Sequence, residues 1–164
     1  MRVAPSPQIP TLRKPTVQDV EAIMLLIEPE VLSERLLPRT PRQVTERLRD
    51  YTVAVEDDRI VGVASVSLVD LHLAEIGVLS GERPEVEQAL IDAVLAEAET
   101  MGVGRSFVLT DDASRFEALG FTRTTMASLP EKRDRQCLRC PRLPRCRQVA
   151  LERALDPVPL RASA

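Results

Sequence analysis

The sequence predicts an α+β domain in which helices flank a mixed, partly antiparallel central sheet, and three observations support this fold class. The 164 residues are 44% hydrophobic and 29% charged, which is typical of one globular domain. Short β-rich runs alternate with segments of helical periodicity. The run at residues 72–79 is followed by a long helix and then by another β-rich run, and this step requires a parallel crossover.

The N-terminal part of the chain predicts one strand and two helices. Ile9 to Arg13 form a short β-rich run. Thr16 and Asp19 have the spacing of a capping box that opens a helix, and this helix is expected to end before Pro29 because proline breaks a helix interior. A second helix is expected from Pro41, since proline is favoured in the first turn.

The middle of the chain predicts sheet followed by the longest helix. The runs 51–56 and 59–69 are joined by two residues and are expected to pair as an antiparallel hairpin. The run 72–79 is a third strand. Residues 84–101 have apolar side chains at helical spacing and are followed by glycine, which is typical of a helix end.

Two more strands and a short helix are expected after this helix. Arg105 to Thr110 is a compact apolar strand. Asp111 or Asp112 is expected to cap a short helix that ends at Gly120. Phe121 to Met126 is expected to be the last strand of the domain.

Composition divides the chain into four segments and constrains its partners. Residues 131–153 carry eight basic and three acidic side chains, a net charge of +5, which leaves −8 for the remainder of the chain. Such a basic run suits an acidic partner or, more commonly, a solvated surface. Aromatic residues are only 2% of the chain and the isoelectric point is near 5.3, which argues against nucleic-acid binding. The segments are a flexible lead (1–10), the domain (11–127), a basic Cys-containing extension (128–155) and a loose tail (156–164).

The sequence also predicts a cytoplasmic protein without a membrane span. No apolar run approaches the roughly 20 residues that a spanning helix requires. The first ten residues, MRVAPSPQIP, lack the apolar segment of a secretion signal.

Several stretches of the chain carry a resemblance to a known family. They are, in order, LRKPTVQDVEAI, YTVAVEDDRIVGVASV, LAEIGVL, ALIDAVLAEAETMGVGRSFVLT and RFEALGF. Together, over residues 11–127, they resemble the GNAT superfamily of acyl-CoA-dependent N-acetyltransferases. Three stretches, one of them within the fourth above, look like small N-acetylglutamate synthase-like proteins of that superfamily: LLPRTPRQ near residue 36, FVLT at 107–110, and LPEK with a C-x2-CP-x4-C pattern at 129–146.

The resemblance implies direct transfer of an acetyl group from acetyl-CoA to an amine, with glutamate or a related amino acid as acceptor and a role in amino-acid metabolism. It implies that backbone amides of a splayed third strand, at Gly77, Val78 and Leu79, hold the pantetheine. The loop that follows, with Gly81 and Arg83, would hold the pyrophosphate at a helix N-terminus. Because GNAT domains often pair, a homodimer is expected.

The pyrophosphate loop departs from the family pattern. The family carries an Arg/Gln-x-x-Gly-x-Gly/Ala loop here, whereas residues 81–88 read GERPEVEQ. Glu82, Glu85 and Glu87 oppose a polyanion and Pro84 removes an N–H group, although carboxylates in a first turn also stabilise their own helix. The departure supports an alternative function, a non-catalytic GNAT-like binding or regulatory module that has lost acetyl-CoA binding.

Two residues are candidates for catalysis and acceptor binding. Glu75 lies in LAEIGVL, where the family often places an acidic residue at the active site, and would act as general base. An exposed carboxylate on the polar face of the strand is an equally good interpretation. Arg39 suits bidentate binding of an amino-acid carboxylate, and equally an ordinary loop arginine. His72 is an alternative base or a surface residue.

All three cysteines of the chain lie in the extension. Cys137, Cys140 and Cys146 form a C-x2-C-x5-C pattern, which in a cytosolic protein points to zinc or an iron–sulfur cluster before disulfides. The surrounding arginines favour thiolate formation. Three reduced, unligated thiols are the alternative, because no fourth ligand stands at a diagnostic spacing.

Overall fold

The computed structural model describes residues 9–159, so the expected lead and tail lie partly outside the described residues. These described residues contain a seven-stranded, mostly antiparallel sheet with the strand order β1-β2-β3-β4-β5-β7-β6, which confirms the predicted fold class. The strands are β1 (Thr11–Arg13), β2 (Tyr51–Glu56), β3 (Arg59–Asp70), β4 (Leu73–Gly81), β5 (Arg105–Thr110), β6 (Thr122–Thr124) and β7 (Val149–Ala154).

Within residues 9–159, five α-helices and several short 3-10 turns connect the strands. The α-helices are α1 (Val20–Leu32), α2 (Pro41–Glu46), α3 (Pro84–Thr100), α4 (Ala113–Ala118) and α5 (Pro130–Arg135). Contacts divide the chain into two compact units. The first comprises residues up to 65 and Val78–Ala93, and the second comprises Val66–Gly77 and the chain from Val94 onward.

The first unit contains the predicted hairpin and the first two helices. β2 and β3 pair antiparallel through a turn at Asp57 and Asp58, whose φ angles of 47° and 60° are those of a tight hairpin turn. The predicted capping box is present and opens a 3-10 turn (Val17–Asp19) that leads into α1, with the Thr16 N–H donating to Asp19 at 2.7 Å. A cluster of buried residues from both helices and from β2, β3 and β4 forms the core of this unit: Val20, Ile23, Ile27, Val44, Tyr51, Val53, Val63 and Val78.

The prediction that the first helix ends before Pro29 is wrong. α1 continues to Leu32 with Pro29 inside it. The proline stands in the last turn, where it costs one intrahelical hydrogen bond. In return, its carbonyl accepts from the Ser33 N–H at 3.0 Å and from the Ser33 Oγ at 2.8 Å. Burial of Ile23 and Ile27 in the core holds the helix in place.

The second unit contains the parallel crossover that the sequence predicts. β4 pairs in parallel with β5, through the register Leu73 with Arg105 and Glu75 with Phe107. Phe107 and Leu129 are fully buried in the core of this unit.

The sequence analysis missed the strand β7. We expected the sheet to end with the run at 121–126, but β6 covers only Thr122–Thr124, and β7 lies between it and β5. Segment 128–155 is therefore not wholly an extension, since its last part is a sheet strand. The charged residues of β7 made it look like a polar segment in the sequence. One of them, Glu152, pairs with Arg105 of the neighbouring strand β5, with an Nε–Oε2 distance of 2.6 Å.

Candidate functional site

The loop before α3, in the first unit, is held by two ion pairs. Arg83 donates from Nη1 to Glu56 Oε2 at 3.0 Å, and its Nη2 contacts the other oxygen of the same carboxylate. Arg59 makes a similar two-point contact with Glu82, with Nη2 2.9 Å from Oε2. These partners raise the pKa of both guanidinium groups and lower the pKa of Glu82. The cation expected to bind pyrophosphate is thus already engaged by a carboxylate.

Several backbone N–H groups of the loop and of the first turn of α3 are also engaged within the unit. The Glu82 N–H donates to a carbonyl of β3 at 3.0 Å. The Val86 and Glu87 N–H groups donate to the Arg83 carbonyl at 3.1 and 3.3 Å. A helix N-terminus binds phosphate through such groups when they point at the ligand. The donor set of this loop therefore fits a pyrophosphate less well than the family pattern implies.

The strand β4 carries the residues that the resemblance assigns to the pantetheine. Val78 and Leu79 are buried, whereas Gly77 and Gly81 are half-buried. A Cβ atom at Gly81 would lie 2.8 Å from the Glu87 Cγ, so close approach to the first turn of α3 requires glycine here. Packing alone thus explains Gly81, and its contact with pyrophosphate stays a prediction.

Arg39 is fixed by a buried phenol. Its Nη1 donates to the Tyr51 Oη at 3.0 Å, and Tyr51 is only 1% exposed. The next residue, Thr40, caps α2 and exchanges hydrogen bonds with Gln43, which fixes the loop that carries the arginine. Because this contact uses one of the five N–H donors of the guanidinium group, the others can face a carboxylate.

Glu75, in the second unit, forms an ion pair that the sequence analysis did not foresee. Its Oε2 accepts from the Lys132 Nζ at 2.7 Å, and the two side chains are only 16% and 12% exposed. Lys132 also donates to the Gln136 Oε1 at 2.5 Å. The interpretation of Glu75 as an exposed strand carboxylate is therefore wrong. The alternative base, His72, is exposed in the turn before β4.

The LPEK motif supplies residues that our sequence analysis used only for the resemblance. Lys132 of this motif reaches Glu75, and Glu131 Oε2 is buried without a hydrogen-bond partner in the described part of the chain. The backbone of the motif is anchored by buried Leu129 and by Arg105, which donates to the Ser128 carbonyl at 3.1 Å. Glu131 and Lys132 begin a run of five charged residues, and nothing in that run indicates that Lys132 contacts β4.

The three cysteines do not form the expected metal centre. Within residues 9–159, no group of three or more His, Cys, Asp or Glu side chains is arranged to hold a metal ion. Cys137 and Cys140 are half-buried, Cys146 is exposed, and all three are free thiols. Burial raises the pKa of the Cys137 thiol, which is opposite to the expected thiolate stabilisation.

Curated relatives of the chain are acetyltransferases. The chain is 26% identical over 148 residues to an uncharacterized N-acetyltransferase of Chlorobaculum tepidum. The aligned residues cover 88% of this chain and 96% of the relative. The chain is 28% identical over 130 residues to the amino-acid acetyltransferase of Pasteurella multocida, but covers only 29% of that longer protein. No protein-family model matches the chain.

Solved structures of acetyltransferases share the fold. The N-acetylglutamate synthase of Neisseria gonorrhoeae, solved with coenzyme A and N-acetyl-glutamate, superposes with a TM-score of 0.81 at 20% identity over 92% of this chain and 36% of that one. A GNAT superfamily phosphinothricin acetyltransferase of Sinorhizobium meliloti, solved with AcCoA, gives a TM-score of 0.63 at 15% identity over 90% of this chain and 89% of that one. Among the described residues, no helix combines the length and apolar character needed to cross a membrane.

Proposed function

We propose that this chain, which has the GNAT fold and is similar in sequence to amino-acid acetyltransferases, is an acetyl-CoA-dependent N-acetyltransferase with an amino acid as acceptor. The observation that carries the proposal is the similarity to a relative named as an N-acetyltransferase along 88% of this chain and 96% of that protein. The fold of a synthase solved with coenzyme A supports the cofactor.

The reaction forms one C–N bond and breaks one C–S bond. The neutral amine nitrogen attacks the thioester carbonyl, its surplus proton passes to a base, and coenzyme A leaves as the thiol after protonation of its sulfur. Glu75 is the proposed base, directly or through one water. Lys132 holds Oε2 of that carboxylate at 2.7 Å, so the other oxygen, Oε1, is the proposed proton acceptor.

The proposed acceptor is glutamate or a related amino acid. Arg39 would pair with the carboxylate of the acceptor, and the Tyr51 hydroxyl would hold the guanidinium plane in position. A fixed guanidinium favours an acceptor that carries a carboxylate next to its amine over a simple amine.

The experiment that tests the proposal measures thiol release from acetyl-CoA with each of the common amino acids, and identifies the N-acetyl product by mass spectrometry. Release that depends on glutamate or a close analogue is expected. Glu75→Gln should lower kcat about 100-fold without weakening acetyl-CoA binding. Release with no amino acid above the rate of hydrolysis would contradict the proposal.

A pair of arginine variants separates acceptor binding from general charge. Arg39→Met should raise the KM for the amino acid about 10- to 100-fold with a smaller effect on kcat. Arg42→Met is the matched control, since Arg42 lies three residues away and its ion pair with Glu46 is on the surface of α2. Equal effects of the two variants would remove Arg39 from acceptor binding.

The ion pairs of the pyrophosphate loop favour a second candidate function, a non-catalytic module without acetyl-CoA binding. Four carboxylates, at positions 56, 82, 85 and 87, surround two arginines, at 59 and 83, which leaves this region net negative. Calorimetric titration with acetyl-CoA decides between the candidates. Binding near a micromolar Kd, about −8 kcal/mol, supports the enzyme, and absence of heat supports the module.

The proposal also includes a homodimer and a cytoplasmic location. β6 lies at one end of the strand order, and an edge strand presents unpaired backbone groups that a second copy can cover. Light scattering on the purified protein tests the dimer, since a mass of 18.2 kDa at all concentrations would exclude it.

A further inference from the structure

Two of the cysteines stand at the ends of one hydrogen-bonded turn. Residues Cys137–Arg139 form a 3-10 turn, and the Cys140 N–H donates to the Cys137 carbonyl at 3.0 Å. In such a turn residues three apart lie on the same side, with Cα atoms less than about 7 Å apart. This separation overlaps the Cα separations found across disulfides, roughly 4.4 to 6.8 Å.

The third cysteine is placed differently. Cys146 follows two further turns, closed by the Leu143 N–H on the Cys140 carbonyl at 3.0 Å and by the Cys146 N–H on the Leu143 carbonyl at 3.2 Å. It is exposed, whereas Cys137 and Cys140 are half-buried. The first turn therefore brings the backbones of Cys137 and Cys140 close together, and Cys146 lies outside it.

The cysteine turn is joined directly to the residues around Glu75. Gln136 caps the C-terminus of α5, immediately before Cys137, and its side chain accepts from Lys132 at 2.5 Å. The same Lys132 Nζ donates to Glu75 at 2.7 Å. Gln136 stands directly before the turn, so a change in the turn on disulfide closure would reach Lys132, and through it Glu75, by way of Gln136.

We propose that Cys137 and Cys140 are a site of thiol–disulfide exchange with low-molecular-weight disulfides such as oxidised glutathione, and that closing the disulfide loosens the Lys132 contacts that fix Glu75. The exchange chemistry depends only on the Cys137–Cys140 turn. Its effect on catalysis rests on the proposed function, in which Glu75 is the base.

The exchange balances with oxidised glutathione as the oxidant. The Cys140 thiolate attacks one sulfur of the glutathione disulfide, and one glutathione leaves as its thiolate. The Cys137 thiol loses its proton to solvent and attacks the Cys140 sulfur, and the second glutathione leaves. Two protein thiols are oxidised and one glutathione disulfide is reduced. We assign the first attack to Cys140 because burial raises the pKa of the Cys137 thiol.

The first test equilibrates the full chain in glutathione buffers of increasing oxidised fraction, traps free thiols by alkylation, and maps the products by mass spectrometry. A Cys137–Cys140 disulfide with Cys146 still alkylated is expected, both in the wild type and in Cys146→Ser. Cys140→Ser should give no intramolecular disulfide that involves Cys137. A disulfide that includes Cys146, or no disulfide in pure oxidised glutathione, would overturn the proposal.

The second test measures the coupling to Lys132 without any activity assay. If oxidation breaks the Lys132–Gln136 hydrogen bond, the wild type loses that bond on oxidation, whereas Gln136→Ala already lacks it. The equilibrium constant for disulfide formation with oxidised glutathione should therefore be about fivefold larger in Gln136→Ala. Arg133→Ala is the control, because Arg133 lies on the same helix and its guanidinium group pairs with the neighbouring, exposed Asp134. An unchanged equilibrium in Gln136→Ala would refute the coupling, whether or not acetyl transfer is found.

Discussion

Lys132 and Glu75 should behave as a coupled pair in unfolding experiments. Lys132→Met leaves a carboxylate that is only 16% exposed without its cation. Breaking a fully buried pair costs about 3 to 5 kcal/mol and breaking an exposed one less than about 1 kcal/mol. For these side chains we expect a loss of about 2 kcal/mol. In Lys132→Met/Glu75→Gln the two losses should not add, and the coupling should be about 1 to 2 kcal/mol.

Urea unfolding of the wild type, the two single variants and the double variant measures this coupling. The matched control is the ion pair of Arg133 with Asp134 on the same helix, whose side chains are 41% and 53% exposed. Solvent screens that pair, and its double-variant cycle should show no measurable coupling. A coupling for Lys132 and Glu75 below about 0.3 kcal/mol would refute the view that burial makes this pair strong.

Three other predictions follow from local contacts. Arg13 and Thr16 hold the pKa of Asp19 at about 2, so Asp19→Asn should cost about 2 kcal/mol of stability at pH 7. Urea unfolding should show that this loss of stability becomes smaller as the pH falls from about 4 towards 2. A loss that does not change with pH would contradict the prediction. A Cβ at Gly62 would lie 2.6 Å from the Val86 Cγ1, so Gly62→Ala should cost about 1 to 3 kcal/mol in the same assay, whereas Gly104→Ala, with open space around it, should be neutral. Glu56→Gln removes the carboxylate that pairs with Arg83 and should tighten acetyl-CoA binding at least threefold by calorimetry, with Glu46→Gln unchanged; equal Kd values would show that Glu56 does not compete with the pyrophosphate.

Local sequence signals predicted most of the strands and helices correctly. The hairpin of β2 and β3 has two turn residues with positive φ angles between β-rich runs, and α3 has regular apolar spacing that begins at Pro84. The parallel pairing of β4 with β5 also followed from the sequence, because two parallel strands are joined by a crossover connection, usually a helix, and not by a tight hairpin turn. The hairpin and α3 depend on residues close together in the chain, and the parallel pairing depends on the order of successive elements.

Features that depend on distant residues were missed. Glu75 and Lys132 are 57 positions apart, and neither carries a local sign of its partner. Arg83 looked like a free cation for phosphate, yet Glu56, 27 positions earlier, binds it. In both cases the sequence identified the charged residue but not its ion-pair partner. A residue of opposite charge can approach from any part of the fold.

The strand β7 offers the sharpest test of where the domain ends. Leu151 is fully buried and stands opposite Val108 of β5 and Arg123 of β6, whereas Val149 on the same strand is 38% exposed. If β7 is part of the folded core, Leu151→Ala should cost about 2 to 4 kcal/mol in urea unfolding, and Val149→Ala should cost less than about 1 kcal/mol. If residues 128–155 were an extension outside the domain, both variants would be close to neutral. A neutral Leu151→Ala would therefore restore the boundary at residue 127, and it would also remove the C-terminal anchor of the segment that carries Lys132 and the cysteine turn.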